Sequence, residues 1–361
     1  MNNHYNFQMK QHYRSLFILL LIPFLGFSIE NDFNYTKQKN ISKAYIVNSD
    51  ATLAVENSYG TISVTTWNED KIELDITIKV SGDNEKWVNQ RINDIDIDIN
   101  ALKAIISAKT ILGNSGYQNQ GRNNSFEINY NLKIPKNGSV KLTNKYGNII
   151  TTDLFANVDI NCKYGKIILG KLWNQSTIQI DYCSNSVINY VKNGTLNAKY
   201  SNLKIMEVDK LDLVSDYTDI EIDDCNVLKY ESKYGKIKVK NIKTLDASGN
   251  YLTIRLGEVF ENLKLNTKYS SLKIDSINER ANKISIVSGY TGIAIGFDAN
   301  FAFDFSISLK YANFKYGNEL DFYTKEEISN SKKYTGFYKK KDNNNLTIIS
   351  DYGSITLTKN Q

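Results

Sequence analysis

The chain has 361 residues, 24 tyrosines, only two prolines and a formal net charge of +5. This length allows one or two domains with a sizeable core. Lys10 and Arg14 lie in an N-terminal segment without acidic residues, and removing these two charges lowers +5 to +3. So balanced a charge excludes the electrostatic footprint of a nucleic-acid-binding protein.

Residues 1–28 are typical of a secretory signal peptide. Lys10 and Arg14 form its charged region, an apolar run follows, and the small residues Gly26 and Ser28 precede a cleavage point. The apolar run is shorter than the roughly 20 residues of a membrane span. An uncleaved N-terminal anchor is the alternative. We therefore predict an exported protein, in the periplasm, at the outer-membrane surface or outside the cell.

Histidine and cysteine usage narrows the chemistry. His4 and His12 are the only histidines and lie inside the predicted signal peptide. The mature chain would therefore lack Ser-His-Asp or Cys-His catalysis and histidine-ligated zinc. We interpret Cys162, Cys183 and Cys225 as small buried apolar residues. A Cys162–Cys183 disulfide, which an oxidising compartment would permit, stays open.

A tyrosine recurs at a nearly constant spacing through most of the chain. Successive intervals are 18, 18, 18, 17, 17, 17, 18, 21, 21, 23 and 18 residues. The next residue is usually small, and an apolar residue follows three positions after the tyrosine, with Asn185 as the exception. The tyrosines of this series are Tyr146, Tyr164, Tyr182, Tyr200, Tyr217, Tyr234, Tyr251, Tyr269, Tyr290, Tyr311, Tyr334 and Tyr352.

Apolar residues alternate with polar ones on both sides of each tyrosine, which indicates two short strands per repeat. A single repeat cannot bury its apolar face, but stacked repeats cover one another at about 4.8 Å. Scarce proline fits strands that pair on both sides. The predicted fold is therefore all-β: a single-chain β-solenoid, or β-helix, with rungs of roughly 17–18 residues and a tyrosine ladder. We find no helical periodicity after residue 140.

The rest of the chain is less regular. We predict a flexible leader over 29–43 and an N-terminal β region with an inserted loop over 44–135. Solenoid repeats follow over 136–361, with a polar loop around 318–345. The corner at Tyr59 is a copy of the repeat that lies far ahead of the others.

The N-terminal β region also carries a recognisable motif. Residues 55–64 read Val-Glu-Asn-Ser-Tyr-Gly-Thr-Ile-Ser-Val, followed by Trp67 and a charged strand over 71–74. This segment resembles the opening strand pair of bacterial putative-adhesin domains of unknown function, and 144–149 resembles their later repeats. The resemblance spans roughly 45–358 and implies a β-solenoid in the bacterial envelope. It brings no catalytic residues, and this chain departs from it in having a tyrosine at nearly every corner.

The aromatic ladder has two interpretations. Ring-on-ring stacking would fix the register of successive repeats, which is the interpretation we favour. Exposed rings could instead stack on sugars or other flat ligands, with flanking lysines favouring acidic glycans. The candidate ladder residues are Tyr146, Tyr164, Tyr182, Tyr200, Tyr217, Tyr234, Tyr251, Tyr269, Tyr290 and Tyr311.

Two groups of acidic residues are candidate sites. Asp94, Asp96 and Asp98 offer carboxylates to Ca²⁺, but no glycine-bearing calcium loop accompanies them, so a solvated strand face is favoured. The carboxylates within 221–224 could belong to a polysaccharide-cleaving enzyme, which needs a defined carboxylate separation and a cleft. The sequence indicates neither, and no catalytic, cofactor or metal site is predicted.

The functional prediction is an exported cell-envelope module that is adhesin-like or structural and not an enzyme. A carbohydrate-active β-helix enzyme and a periplasmic assembly or signalling accessory are the alternatives. A glycan, an envelope lipid and a protein remain open as partners, whereas nucleic acid is not expected.

Overall fold

A computed structural model describes residues 33–113, 123–341 and 344–360. The predicted signal peptide lies outside these residues. The described chain is almost entirely β, with 22 strands in one sheet and a single helix. Within the described ranges, no helix has the length and apolarity needed to cross a membrane.

The N-terminal region contains nine strands and the helix. In chain order they are β1 Tyr35–Ile46, β2 Thr52–Ser58, β3 Ile62–Trp67, β4 Lys71–Gly82, α1 Glu85–Asp94, β5 Asp96–Leu102, β6 Ile105–Ile111, β7 Asn124–Pro135, β8 Ser139–Lys145 and β9 Ile149–Thr151.

The remaining strands form the repeats and the C-terminal end. They are β10 Val158–Lys163, β11 Ile167–Asp181, β12 Ser186–Lys199, β13 Asn202–Lys268, β14 Ser271–Ile277, β15 Lys283–Gly289, β16 Gly292–Phe297, β17 Phe303–Lys310, β18 Phe314–Lys315, β19 Asp321–Ile328, β20 Ser331–Tyr338, β21 Asn344–Asp351 and β22 Ile355–Lys359.

Parallel pairing at an offset of one repeat builds the core. Ile160 of β10 lies opposite Leu142 of β8 on one side and Ile178 of β11 on the other. All three side chains are buried. Each apolar column is thus shielded by the repeats before and after it, where burial contributes roughly 25 cal/mol per Å² of apolar surface.

The long strand β13 passes through several repeats without losing its pairing. It contains Tyr217, Tyr234 and Tyr251, which all have positive φ angles and therefore mark bends. Side chains that are one repeat apart form hydrogen bonds along β13, and the Ser215 and Ser232 hydroxyls, 2.8 Å apart, are an example. β13 is therefore a run of successive turns of the stack and not one straight strand.

The tyrosine itself makes each corner. Twelve corner tyrosines, from Tyr59 to Tyr352, have φ between 49° and 63°, a left-handed conformation that costs a non-glycine residue about 1–2 kcal/mol. At most corners the small residue that follows the tyrosine does not itself have a positive φ angle. That residue is small for another reason: a Cβ on Gly147 would lie 1.7 Å from the Gly60 carbonyl oxygen.

Where the following residue is Ser or Thr, its hydroxyl bonds back across the corner. Ser201 Oγ donates to the Lys199 carbonyl at 2.7 Å, and Thr218 Oγ1 donates to the Asp216 carbonyl at 2.8 Å. Asn185 interrupts the column of apolar residues that lie three positions after each tyrosine. At this corner both Tyr182 and Asn185 have a positive φ angle, so the corner is one residue longer. Ser186, the fully buried neighbour of Asn185, then pairs with Leu203 and continues the column.

From Tyr35 onward the predicted leader is a strand, contrary to the prediction of a flexible segment, whereas residues 29–32 lie outside the described ranges. β1 pairs antiparallel with β4 from Tyr35↔Gly82 to Ile46↔Lys71. Its side chains are almost all exposed, so the segment lacks the apolar alternation that would have indicated a strand. Backbone pairing with β4 supplies the order that its polar side chains do not predict.

The inserted segment contains the one described helix, which the sequence analysis missed. Asn84 caps α1 by accepting a bond from the Trp87 amide at 3.1 Å, and the helix buries Val88 and Ile92. The β5–β6 hairpin follows, and β6 pairs parallel with β2. The insertion thus covers the N-terminal end of the stack.

The C-terminal strands do not stack in chain order. β21 lies between β15 and β17, and β22 lies between β16 and β18. The last repeat of the chain is therefore inserted inside the stack. The Tyr311 repeat lies beyond it, followed by the antiparallel β17–β20 and β20–β19 pairs.

The predicted polar loop around 318–345 is replaced largely by the β19–β20 hairpin. The charged, asparagine-rich sequence misled the prediction because β19 faces solvent along almost its whole length. Tyr334 is also misplaced in the sequence series. It is buried beside Phe314 and Phe322, away from the corner column.

Candidate binding surfaces

The corner tyrosines form one continuous ladder of stacked rings. Neighbouring ring centroids are 4.6 to 5.1 Å apart, with interplanar angles of 3° to 20°. The strand spacing of about 4.8 Å imposes this distance. In spatial order the ladder is Tyr59, Tyr146, Tyr164, Tyr182, Tyr200, Tyr217, Tyr234, Tyr251, Tyr269, Tyr290, Tyr352 and Tyr311.

The ladder exposes ring edges and hides ring faces. From Tyr146 onward its side chains are 39% to 52% exposed, yet each interior ring has a neighbouring ring on both faces. Phe126 packs on Tyr59 at 4.8 Å at the first end. A flat ligand cannot stack on an interior face without separating two strands. The ladder therefore offers a row of edges and hydroxyls, and ligand binding along it stays a prediction.

Charges alongside the ladder alternate in sign over its central part, from Lys163 to Lys233. The Lys145 and Lys163 ammonium groups lie 5.0 and 5.5 Å from the adjacent tyrosine rings. Further along, the residues preceding the tyrosines are Asp181, Lys199, Asp216 and Lys233. This alternation offers no uniform basic strip for an acidic glycan.

The ladder also perturbs the acidity of a ring within it. Burial raises the pKa of Tyr217, and the neighbouring rings of Tyr234 and Tyr200 raise it further. Adjacent phenolates would repel one another across about 5 Å. The position of Tyr217 in the stack therefore disfavours its ionisation.

A shallow cleft of about 610 Å³ lies on one side of the stack, which we name the Trp67 cleft. Trp67 ends β3, Thr151 ends β9, and further lining comes from the next two repeats. Gly170 forms part of the wall. A side chain at this position would be too close to its neighbours, because a Cβ would lie 2.7 Å from Asp153 Oδ1. The lining residues are Thr66, Trp67, Asn68, Lys136, Thr151, Thr152, Asp153, Phe155, Ile168, Leu169, Gly170 and Asn189.

Ionic groups hold one side of the Trp67 ring. Lys71 and Lys133 lie 4.7 and 5.1 Å from it, and both form salt bridges with Glu73, at 2.8 and 3.2 Å. Hydrogen bonds from Lys71 and Lys133 lower the pKa of Glu73. Trp67 Nε1 donates to the Lys71 carbonyl at 2.8 Å, which fixes the indole plane.

The lining of the Trp67 cleft also contains a second aromatic ring beside a cation. Lys136 Nζ lies 4.7 Å from the Phe155 ring centroid. Asp153 Oδ1 accepts a hydrogen bond from the Lys171 amide at 2.8 Å. Neither Trp67 nor Phe155 was singled out as a candidate binding residue. The sequence does show an aromatic residue, Trp67, at the end of a strand. Many buried aromatic residues have the same kind of position, so this pattern alone does not indicate a binding site.

A second cleft, of about 310 Å³, receives part of the predicted acidic group. Asp224 lines it together with Glu261 and Arg280, and accepts a bond from Asn241 at 2.7 Å. Asp223 instead forms a salt bridge with Lys204 at 3.2 Å. The carboxylates of 221–224 are thus divided between the second cleft and a surface row of ion pairs.

The other sequence candidates are also placed. Asp94 ends α1, whereas Asp96 and Asp98 are exposed on β5. Among the described residues, no group of His, Cys, Asp or Glu side chains could hold a metal ion. Cys162 and Cys183 are buried free thiols, with Cys183 Sγ 3.3 Å from the Cys162 carbonyl oxygen. The pKa of the Cys162 thiol is raised by its hydrogen bond with Cys183 and by burial.

Comparison with known proteins yields structural matches only. No family model matches the chain, and no curated protein matches it. A putative cell adhesion protein from Clostridium sporogenes covers 89% of this chain and 100% of its own, at 10% identity and a TM-score of 0.20. A putative adhesin from Parabacteroides distasonis covers 89% and 97%, at 11% identity and a TM-score of 0.37.

A putative adhesin from Parabacteroides merdae covers 89% of this chain and 96% of its own, at 9% identity and a TM-score of 0.35. Such TM-scores carry no argument about function. The chain is nonetheless similar to bacterial proteins that are named putative adhesins, as the sequence resemblance predicted.

Proposed function

We propose that this protein is an exported β-solenoid of the cell envelope, which acts as an adhesin-like binding or structural module without catalysis. The observation that carries the proposal is the unbroken tyrosine ladder. Twelve stacked corners keep the repeats in one register, and parallel pairing joins each repeat to the next. A stack of this kind is a stiff rod, and its side surfaces are the natural place for binding.

Export rests on the N-terminal sequence. A basic segment followed by a short apolar run and small residues would direct the chain out of the cytoplasm. The proposed location is the periplasm, the outer-membrane surface or the extracellular space. The absence of histidine after residue 12 supports a role without imidazole chemistry.

A carbohydrate-active enzyme is the competing proposal, and one observation favours it. Asp224 and Glu261 line the same cleft, with Arg280 beside them. Two carboxylates across a cleft are what glycoside hydrolysis requires. Against this, Asp224 is bonded to Asn241 and Glu261 lies 3.5 Å from the Thr244 hydroxyl, so both are engaged within the stack.

Two measurements test the proposal together. Fractionation of cells that produce the protein should place it in the envelope or the medium, with residues 1–28 removed. The purified protein should bind an envelope glycan, lipid or protein saturably, and glycans that bind should be recovered intact. Retention in the cytoplasm would end the export proposal. Turnover of a bound glycan that Asp224→Asn abolishes would establish the enzyme instead.

A further inference from the structure

We infer that the Trp67 cleft is a carbohydrate-binding site for an acidic saccharide, with a sugar ring on Trp67 and a sugar carboxylate at Lys136. This inference rests on the proposed binding function and names its site and ligand class. Three features of the Trp67 cleft carry it: an aromatic face, an unpaired cation, and a wall of polar groups.

The aromatic ring of Trp67 is held in place by its neighbours. Lys71 and Lys133 lie over the Trp67 ring, yet neither lines the cleft. Trp67 therefore contacts the two ammonium groups and also lines a cleft to which neither lysine contributes. Its Nε1 bond to the Lys71 carbonyl holds the plane before any ligand arrives. An indole fixed in this way presents a broad apolar surface to the C–H face of a sugar ring.

The cation in the cleft has no acidic partner. Lys136 contacts the Phe155 ring at 4.7 Å and forms no salt bridge within the described chain. Asp153 is the one carboxylate among the described lining residues, and it accepts a bond from the Lys171 amide. By contrast, Lys71 and Lys133 share Glu73. Lys136 is therefore the group in the cleft that an incoming carboxylate would pair with.

The polar lining and the length of the cleft fit an oligosaccharide. Its walls come from successive repeats, from Trp67 through Thr151 and Gly170 to Asn189, which is about 14 Å at about 4.8 Å per step. The lining also includes the polar residues Asn68, Thr152 and Asn189. Hydroxyl and amide groups at these intervals suit a ligand that carries hydroxyls along its length.

An extended peptide is disfavoured by the pairing around the cleft. β3 pairs with β7 and β9, and β9 pairs with β3 and β11. Addition of a peptide strand requires a free sheet edge, and these strands have none to offer. Recognition must therefore run through side chains, as it does for sugars on aromatic surfaces.

Isothermal titration with defined oligosaccharides tests the inference. The probes are an oligogalacturonate and its methyl-esterified, neutral counterpart. We expect the purified protein to bind the acidic form more tightly. Trp67→Ala should lower affinity for both forms at least about tenfold. Lys136→Gln should lower affinity at least about fivefold for the acidic form alone, because only that form pairs with the ammonium.

Trp173→Ala is the matched control, because Trp173 is exposed two repeats from Trp67, packs against Tyr190 and does not line the cleft. It should bind both probes within about twofold of the parent protein. Thermal unfolding of each variant verifies the fold, and Trp67→Phe replaces Trp67→Ala if the latter unfolds. Absence of oligogalacturonate binding, or equal binding by the parent and Lys136→Gln, would overturn the inference. A cytoplasmic protein that nonetheless binds here would overturn export alone.

Discussion

The rings of Tyr290 and Tyr352 stack at 4.6 Å and 3°, although a whole intervening repeat and a hairpin separate them along the chain. Tyr352 also stacks on Tyr311 at 4.8 Å. The last-synthesised tyrosine therefore lies between two rings that precede it in sequence. Tyr352 can stack on Tyr290 only when the long segment between them is ordered. Ordering this segment carries an entropic cost of loop closure.

Removal of the inserted repeat should open the stack from within. A chain that ends at Lys341 lacks β21 and β22, so β15, β16 and β17 each lose a parallel neighbour. Hydrogen exchange should become fast in β15 and β16 and remain slow in β10 and β12. Unchanged protection of β15 would show that the inserted repeat contributes no stability to its neighbours.

A single corner tyrosine separates ring stacking from backbone strain. Tyr200 has φ 49° and stacks on Tyr182 and Tyr217. Tyr200→Ala should lose about 1–3 kcal/mol of stability, from two stacked pairs. Tyr200→Gly should lose about 1 kcal/mol less than Tyr200→Ala, because glycine adopts the left-handed conformation without strain.

The phenylalanine variant isolates the hydroxyl. Tyr200→Phe keeps both ring contacts and should stay within about 0.5 kcal/mol of the parent protein. Urea unfolding of the three variants provides the comparison. A glycine variant less stable than the alanine variant would contradict the strain that we assign to this corner.

The glycine after a corner should tolerate no side chain where repeats touch. A Cβ on Gly147 would lie 1.7 Å from the Gly60 carbonyl oxygen, which is backbone and cannot move aside. Gly147→Ala should lose about 2–4 kcal/mol or fail to fold. Gly292→Ala is the matched control, since nothing lies within 4 Å of its Cβ position. Equal melting temperatures for the two variants would refute this packing.

Alkaline pH should loosen the ladder. Burial and the adjacent tyrosines raise the pKa of Tyr217 above its usual 10.0. Because the folded-state pKa is raised, neutral Tyr217 contributes to the free energy of unfolding. This contribution is complete below about pH 10 and is lost as the pH rises further. From about pH 8 to about pH 11, the melting temperature of the parent should therefore fall more steeply than that of Tyr217→Phe. Parallel curves would show that Tyr217 ionises equally in both states.

The all-β class and the tyrosine ladder could be predicted because both follow from the regular recurrence of tyrosine and of alternating apolar residues in the sequence. Tyr164 and Tyr182 are 18 residues apart and stack at 5.0 Å, as the interval requires. Tyr59, far ahead of the series, stacks on Tyr146. A constant spacing in sequence becomes a constant spacing in space when each repeat pairs with the next.

The irregular ends could not be predicted, because their order depends on distant partners. β1 is polar on both faces and becomes a strand through its pairing with β4. The intervals around Tyr311 and Tyr334 resemble further repeats, yet only Tyr311 joins the ladder. The Trp67 cleft is likewise invisible in sequence, since it combines side chains from several repeats.

Among the described strands, those that pair on one side only, which include β1, β5 and β19, bear on how the molecule meets its own copies. β1 and β19 each pair on one side only within the described chain, and both are lined with exposed charged residues. Lysines 37, 39 and 43 occupy one end, and Lys325 with its acidic neighbours occupies the other. Charged terminal edges discourage strand-to-strand growth. These charged edges oppose the fibril-like growth that so regular an interior would otherwise favour.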